Sequence, residues 1–237
     1  MLSRLVRQIL QATVYDVAIE TPLEAAPRIS EKLNNNICFK REDLQPVFSF
    51  KLRGAYNRIS QLPKSQLQRG VITASAGNHA QGVALSGQKL GIRAIIVMPK
   101  TTPDIKVQAV KRLGGEVVLH GDSFDVANKY AIQCAQDEGM TFIPPYDDEL
   151  VMAGQGTIAN EILRQWRDVD YVFVAVGGGG LIGGVAAYLG EVAPHVKIIP
   201  VEYDESACLK AAFEANERVI LPSVGLFADG TAVAQIG

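Results

Sequence analysis

Short β-branched runs alternate with longer stretches of helical spacing along most of this chain. The runs at 37–40, 71–74, 94–98, 116–119, 141–143, 171–176 and 197–202 have the length and composition of strands. Between them the spacing predicts helices over 51–61, 78–90, 103–113, 124–138, 154–166, 181–192 and 205–215. Gly91, Gly114 and Gly139 follow predicted helices where C-terminal caps belong. Strand and helix in alternation predict an α/β fold of mostly parallel sheet with flanking crossover helices. At the start, apolar residues at 2, 5, 6, 9 and 10 predict an amphipathic helix, and with no long apolar run it reads as neither a signal peptide nor a membrane span.

Pro144-Pro145-Tyr146-Asp147-Asp148 interrupts both helix and strand patterning and is the expected boundary. It divides the chain into two lobes, a small one over 46–143 and a large one made of 1–45 plus 144–237. A length of 237 residues with 48% hydrophobic composition is enough to bury a large core. The formal charge of -2, from 23 basic and 25 acidic residues without long runs, argues against nucleic acid or a charged membrane surface and for a small polar substrate. Cys38, Cys134 and Cys208 lack metal-ligand spacing and read as reduced thiols of a cytoplasmic protein, and no metal site is expected.

Three segments carry candidate chemistry. Lys51, at a predicted helix entrance, has Phe48, Phe50, Leu52 and Ala55 as neighbours. An apolar setting disfavours the ammonium and lowers its pKa, which is what Schiff-base formation requires, although an isolated lysine is usually a solvated surface charge. Ser75-Ala76-Gly77-Asn78-His79-Ala80-Gln81-Gly82 follows a strand and opens a helix. Its free amides suit an anion such as a substrate carboxylate, and simple N-capping by Ser75 or Asn78 explains the segment equally well. Gly177-Gly178-Gly179-Gly180-Leu181 joins a strand to a helix and suits a phosphate, because glycine lets backbone amides converge. Gly178, Gly180 and Gly183 also match a dinucleotide fingerprint, with Glu202 at the end of the next strand as its acidic partner. That reading leaves the first two segments without a role, whereas pyridoxal 5'-phosphate (PLP) uses all three.

Lys40-Arg41-Glu42-Asp43-Leu44-Gln45-Pro46, Ser49-Phe50-Lys51-Leu52-Arg53-Gly54-Ala55, the 73–82 segment and the glycine turn together resemble the fold-type-II PLP enzymes, with the tryptophan-synthase-β-like architecture. The match is closest to the threonine dehydratase (threonine ammonia-lyase) group, and Gly225-Leu226-Phe227-Ala228-Asp229-Gly230 resembles its biosynthetic branch, which feeds isoleucine synthesis. The resemblance implies that Lys51 holds PLP covalently, that Phe50 packs against its ring and that Asn78 hydrogen-bonds its phenolic oxygen. Gly177, Gly178, Gly179, Gly180 and the Leu181 amide match the phosphate loop, and Ser75, Gly77 and His79 the loop over the substrate carboxylate. The implied reaction is β-elimination of L-threonine, with L-serine as the alternative substrate, to a 2-oxo acid and ammonia. Racemising members carry a second serine where this chain has Ala76, which points to lyase chemistry. The family's catalytic domains continue past the position of Gly237, so the resemblance also implies a truncated chain with an incomplete large lobe. Its exposed sheet edge would favour a homo-oligomer, and an inactive fragment is the alternative to a working enzyme.

Overall fold

A computed structural model describes residues 2–225 and 227–237; Leu226, within the 225–230 motif, lies outside the described residues, as does Met1. The chain opens on α1 (Arg4–Leu10), where Ser3 Oγ accepts from the Val6 amide at 3.3 Å and Val6 and Ile9 face inward. This is the expected amphipathic helix. An antiparallel pair, β1 (Leu23–Ala25) and β2 (Cys38–Lys40), then brackets α2 (Pro27–Leu33). Next come α3 (Lys51–Ser60) and α4 (Lys64–Arg69), followed by β3 (Val71–Ala74), α5 (Asn78–Leu90), β4 (Ala94–Met98), α6 (Asp104–Arg112), β5 (Glu116–Leu119), α7 (Phe124–Asp137) and β6 (Thr141–Phe142). The four strands β3 to β6 form one parallel sheet in the order β5-β4-β3-β6. Finally α8 (Glu149–Gln165), β7 (Tyr171–Ala175), α9 (Gly180–Val192), β8 (Lys197–Val201) and α10 (Cys208–Ala215) follow, with β7 and β8 paired in parallel so that Phe173 faces Ile199.

Strands β3 and β4 are buried along their whole length, between a layer holding Ala80, Val83, Val107 and Val110 and one holding Ala127, Ala131 and Ala135. Burial on both faces is why these strands read as continuous apolar runs. A separate core gathers Val6, Ile158, Ile162, Val172, Val174, Val185 and Leu189 from α1, α8, β7 and α9. The helix caps at Gly91, Gly114 and Gly139 are present, with φ of 65°, 81° and 64°. Three elements lie outside the expected set, namely β1, α2 and α4. Neither α2 nor α4 buries a residue, so neither has the apolar stripe by which a helix is recognised in sequence. Helix α8 starts at Glu149 rather than 154, because Asp148 Oδ1 accepts from the Leu150 and Val151 amides at 2.8 and 3.0 Å. Among the described residues no helix is long and apolar enough to cross a membrane.

Helix α8 crosses two others at backbone distance. A Cβ on Gly154 would lie 2.6 Å from Gly54 Cα of α3, and one on Gly184 of α9 would lie 2.3 Å from the Met152 carbonyl. These glycines therefore allow close helix approach, and their weak helix propensity is the cost of it.

The α3–α8 crossing also buries charge. Arg53 is fully buried and donates to both oxygens of Glu42, at 2.8 and 2.8 Å, and to both oxygens of Glu161, at 2.6 and 3.0 Å. Lys40 meets the same Glu161 at 2.6 Å and the Tyr15 hydroxyl donates to it at 2.8 Å. Two cations and two carboxylates thus balance, which is the condition under which charge survives burial. Burial opposes the Arg53 charge and tends to raise the Glu161 pKa. The hydrogen bonds between the partners outweigh it, so the Arg53 pKa rises and the Glu161 carboxyl stays below its usual range.

Glu161→Ala leaves Arg53 and Lys40 one carboxylate short and is expected to lower the unfolding free energy by about 3–5 kcal/mol, measured by urea denaturation. The native protein binds fewer protons than the unfolded chain through Glu161, so this stabilisation is present above the unfolded-state pKa and is lost as pH falls through the folded one. An acid unfolding midpoint unchanged by Glu161→Gln would contradict this account.

Candidate active site

Lys51 is the first residue of α3, and its Nζ donates to the Pro145 carbonyl at 2.8 Å. The side chain keeps some solvent contact, yet protein packs closely around it, and Phe50 presents its ring 5.6 Å from Nζ. No carboxylate pairs with the ammonium among the described residues, so burial pulls its pKa from 10.5 down to about 8. A neutral amine is therefore accessible near neutrality; the lowered pKa expected from the sequence is present, but burial supplies it, with Phe50 the flanking aromatic at the amine and Phe48 largely exposed. Phe48 adopts φ 57° and is largely exposed, an uncommon conformation for a residue with Cβ, immediately before the Ser49-Phe50-Lys51 turn.

The 75–82 segment opens α5 through Gly77, and no side chain caps that helix. Ser75 Oγ instead accepts from the Gly77 amide at 3.2 Å, so simple N-capping by Ser75 or Asn78 is not what the segment does. Asn78 is exposed, and a Cβ on Gly77 would meet nothing within 4 Å. His79 points the other way. It is buried, and its Nε2 lies 3.1 Å from the Ile143 carbonyl, which also accepts from Thr73 Oγ1 at 2.8 Å. Burial, and then the positive charge of Lys51, push its pKa down to about 3. The ring is therefore neutral, the carbonyl requires the proton on Nε2, and Nδ1 is left as an acceptor without a partner among the described residues. Ser49 Oγ is likewise buried and unpartnered among them.

The glycine turn enters α9 with Gly179 at φ 93° as its N-cap and no side-chain capping bond. Its amides are thus not taken by side-chain oxygens. Gly179 needs a left-handed backbone, while Gly178 and Gly180 are glycine for a second reason. A Cβ on Gly178 would fall 2.3 Å from the Tyr146 ring, and one on Gly180 2.9 Å from Tyr146 Cα. The residues 231–237 lie over the same turn, with the Gly237 amide donating to the Gly178 carbonyl at 3.0 Å and Ile236 against Gly179.

One segment thus touches all three motifs. Ile143 holds His79, Pro145 holds the Lys51 amine, and Tyr146 lies on the glycine turn. Sequence patterning marked 144–148 only as a boundary, and the participation of Pro145 and Tyr146 was missed. The sole sequence signal was an aromatic residue inside a Pro- and Asp-rich break. Glu202, by contrast, is committed elsewhere. Its two oxygens accept from the Leu209 and Lys210 amides at 2.8 and 2.9 Å, where α10 begins, which is why that helix starts at Cys208. A carboxylate so engaged is not free for a ribose, so the dinucleotide reading fails on its acidic partner. Among the described residues no three His, Cys, Asp or Glu side chains are arranged to hold a metal.

Comparison with known proteins identifies the family. The family model described as pyridoxal-phosphate dependent enzyme matches residues 14–237. The chain is 60% identical over 230 residues to a threonine dehydratase of Nicotiana attenuata, covering 97% of this chain and 38% of that protein. It is 55% identical over 231 residues to the biosynthetic L-threonine dehydratase of Escherichia coli K12, covering 98% and 45% respectively. The processed form of threonine deaminase isoform 2 from Solanum lycopersicum superposes with a TM-score of 0.97 at 54% identity, over 99% of this chain and 68% of that structure. The chain therefore spans less than half the length of these two curated relatives. The match of the family model over residues 14–237 and the superposition on threonine deaminase show that this chain belongs to the pyridoxal-phosphate dependent enzyme family, with the fold-type-II architecture.

Proposed function

We propose that this chain carries the PLP-binding catalytic unit of a biosynthetic threonine ammonia-lyase. The observation that carries the reading is the convergence of the Lys51 amine, the α5 entrance and the glycine turn on one connecting segment, 143–147. The residues fit the cofactor: Lys51 is the covalent attachment point, and the amides of Gly177 to Leu181, with the positive end of α9, take the phosphate. Phe50, beside the Lys51 amine, would pack against the ring, and the exposed Asn78 would hydrogen-bond the phenolic oxygen. We further propose that 46–143 acts as the smaller lobe and the remainder as the larger one, with the substrate between them, and that the protein works in the cytoplasm as a homo-oligomer.

When bound, PLP supplies an electron sink for the pair released as the Cα–H bond breaks. The protein's part is to hold and move protons. The Ser75 and Gly77 loop and the uncapped α5 amides bind the substrate carboxylate and set the Cα–H bond toward Lys51. His79, fixed by the Ile143 carbonyl, orients that loop from behind and stays neutral. Once the substrate amine has taken its place on the cofactor, the freed Lys51 amine would take the Cα proton at Nζ, and the burial that lowers its pKa in the cofactor-free protein favours the neutral form a base requires. Departure of the β-hydroxyl as water and hydrolytic release of ammonia convert L-threonine to 2-oxobutanoate, with L-serine as a second substrate. Ala76 offers no hydroxyl on the opposite face of Cα, which favours elimination over racemisation.

Acylation of Lys51 in the cofactor-free protein, followed by peptide mass spectrometry, is expected to rise with pH around a midpoint of about 8, against 10.5 for an ordinary lysine. A midpoint near the ordinary value would remove the proposed base. Added PLP should produce an absorbance band that borohydride traps covalently on Lys51 and that Lys51→Ala abolishes, and threonine should yield 2-oxobutanoate. Glu202→Gln is expected to leave PLP binding unchanged while destabilising the protein by about 1 kcal/mol through the α10 start. Loss of cofactor binding in that variant would return Glu202 to the site.

A further inference from the structure

We infer that Tyr146 is a positioning residue for the phosphate turn, and that it ties the shape of that turn to the Lys51 amine. The inference rests on the PLP reading above and concerns how the cofactor's two attachment points are kept in register. Tyr146 directly follows Pro145, whose carbonyl receives Lys51 Nζ at 2.8 Å. Its ring occupies the space in which a side chain at residue 178 would stand, with Cδ1, Cε1 and Cγ at 2.3, 2.3 and 2.4 Å from that position. Its own backbone fills the space beside Gly180, with Cα and the carbonyl oxygen both at 2.9 Å from a Cβ there. Two of the glycines are therefore shaped by one aromatic residue, and a third, Gly179, by its left-handed φ.

The contact is made by the ring rather than by the hydroxyl. Among the described residues the Tyr146 hydroxyl reaches only the Gln235 carbonyl, at 3.5 Å, a distance at which a hydrogen bond contributes little. Burial raises the phenol pKa, with Cys208 and Asp147 adding to it, so the group stays neutral and puts no charge beside the phosphate. The chain on either side is anchored. Ile143 bonds to Ile72 on the sheet, and Asp148 caps α8 and pairs with Arg58 at 2.8 Å. Tyr146 is thus a rigid wedge on a short anchored segment, and a backbone turn pressed against it has fewer shapes available before the phosphate arrives.

The test is a PLP titration of the full chain, followed by absorbance, alongside titration with pyridoxal, which lacks the phosphate but retains the aldehyde. Tyr146→Ala is expected to weaken PLP about tenfold, in the range of coupling between residues in contact, and to leave pyridoxal nearly unchanged. Tyr146→Phe should bind PLP like the unaltered chain. Gly178→Ala should weaken PLP by itself, and the double variant Tyr146→Ala/Gly178→Ala should be no weaker than Gly178→Ala, since the clash has lost one partner. Thermal unfolding of the cofactor-free variants checks that each one folds, and Tyr146→Leu takes the place of Tyr146→Ala if the latter does not. Equal PLP affinity in the folded variant that lacks the ring, an equal loss of PLP and pyridoxal, or strictly additive effects in the double variant would overturn the inference. If the unaltered chain fails to bind PLP at all, it is the functional reading that falls.

Discussion

The buried pairing of Arg53 with Glu161 and Glu42 is the constraint on which the other parts of the molecule depend. Arg53 stands two residues after Lys51 on the same helix, so whatever fixes the guanidinium also fixes the position of the amine. Its partners come from α8 and from the Glu42 turn, and Lys40 and Tyr15 close the cluster from the N-terminal part of the chain. Removing four charged groups from water is costly unless each finds partners of good geometry, and such clusters tolerate little displacement. The glycine crossing of Gly54 and Gly154 brings α3 and α8 close enough for those short bonds. Helix α8 in turn packs on α9, whose N-terminus is the glycine turn, so the charge cluster and the turn are joined through one helix.

The proposed function then depends on what is brought near Lys51 and what is kept away. No carboxylate neutralises the ammonium among the described residues; a backbone carbonyl, a weaker partner, receives it instead. This absence of a full counter-charge is what leaves desolvation to dominate and brings the pKa down to about 8. The contrast with Arg53 is instructive, since two cations in the first turn of one helix, both closely packed by protein, have opposite shifts. The difference lies wholly in the partners.

Much of the α/β alternation was legible because it is a local pattern. The β3 and β4 strands are buried on both faces and so are apolar throughout, and the glycines after α5, α6 and α7 are demanded by positive φ. Where legibility failed, the cause was also physical. Helix α2 has no buried stripe, and the first turn of α8, 149–153, was not expected because the Pro- and Asp-rich segment before it reads as a break, whereas Asp148 caps the helix there. Glu202 matched a ribose ligand by spacing, yet it caps α10, a competing use that spacing cannot distinguish.

The sequence by itself determined the alternation of strand and helix, the order of the three motifs and the resemblance that joins them, because these are properties of neighbouring residues and of their succession. Only the tertiary structure decided that a segment read as a boundary is the point where the motifs meet. It also decided that His79 faces a carbonyl and that Tyr146 accounts for two of the glycines. The reason is distance along the chain: the Lys51 to Pro145 bond spans 94 residues and the Arg53 to Glu161 bond 108. Contacts of that separation are set by packing and burial, and no local pattern of residues encodes them.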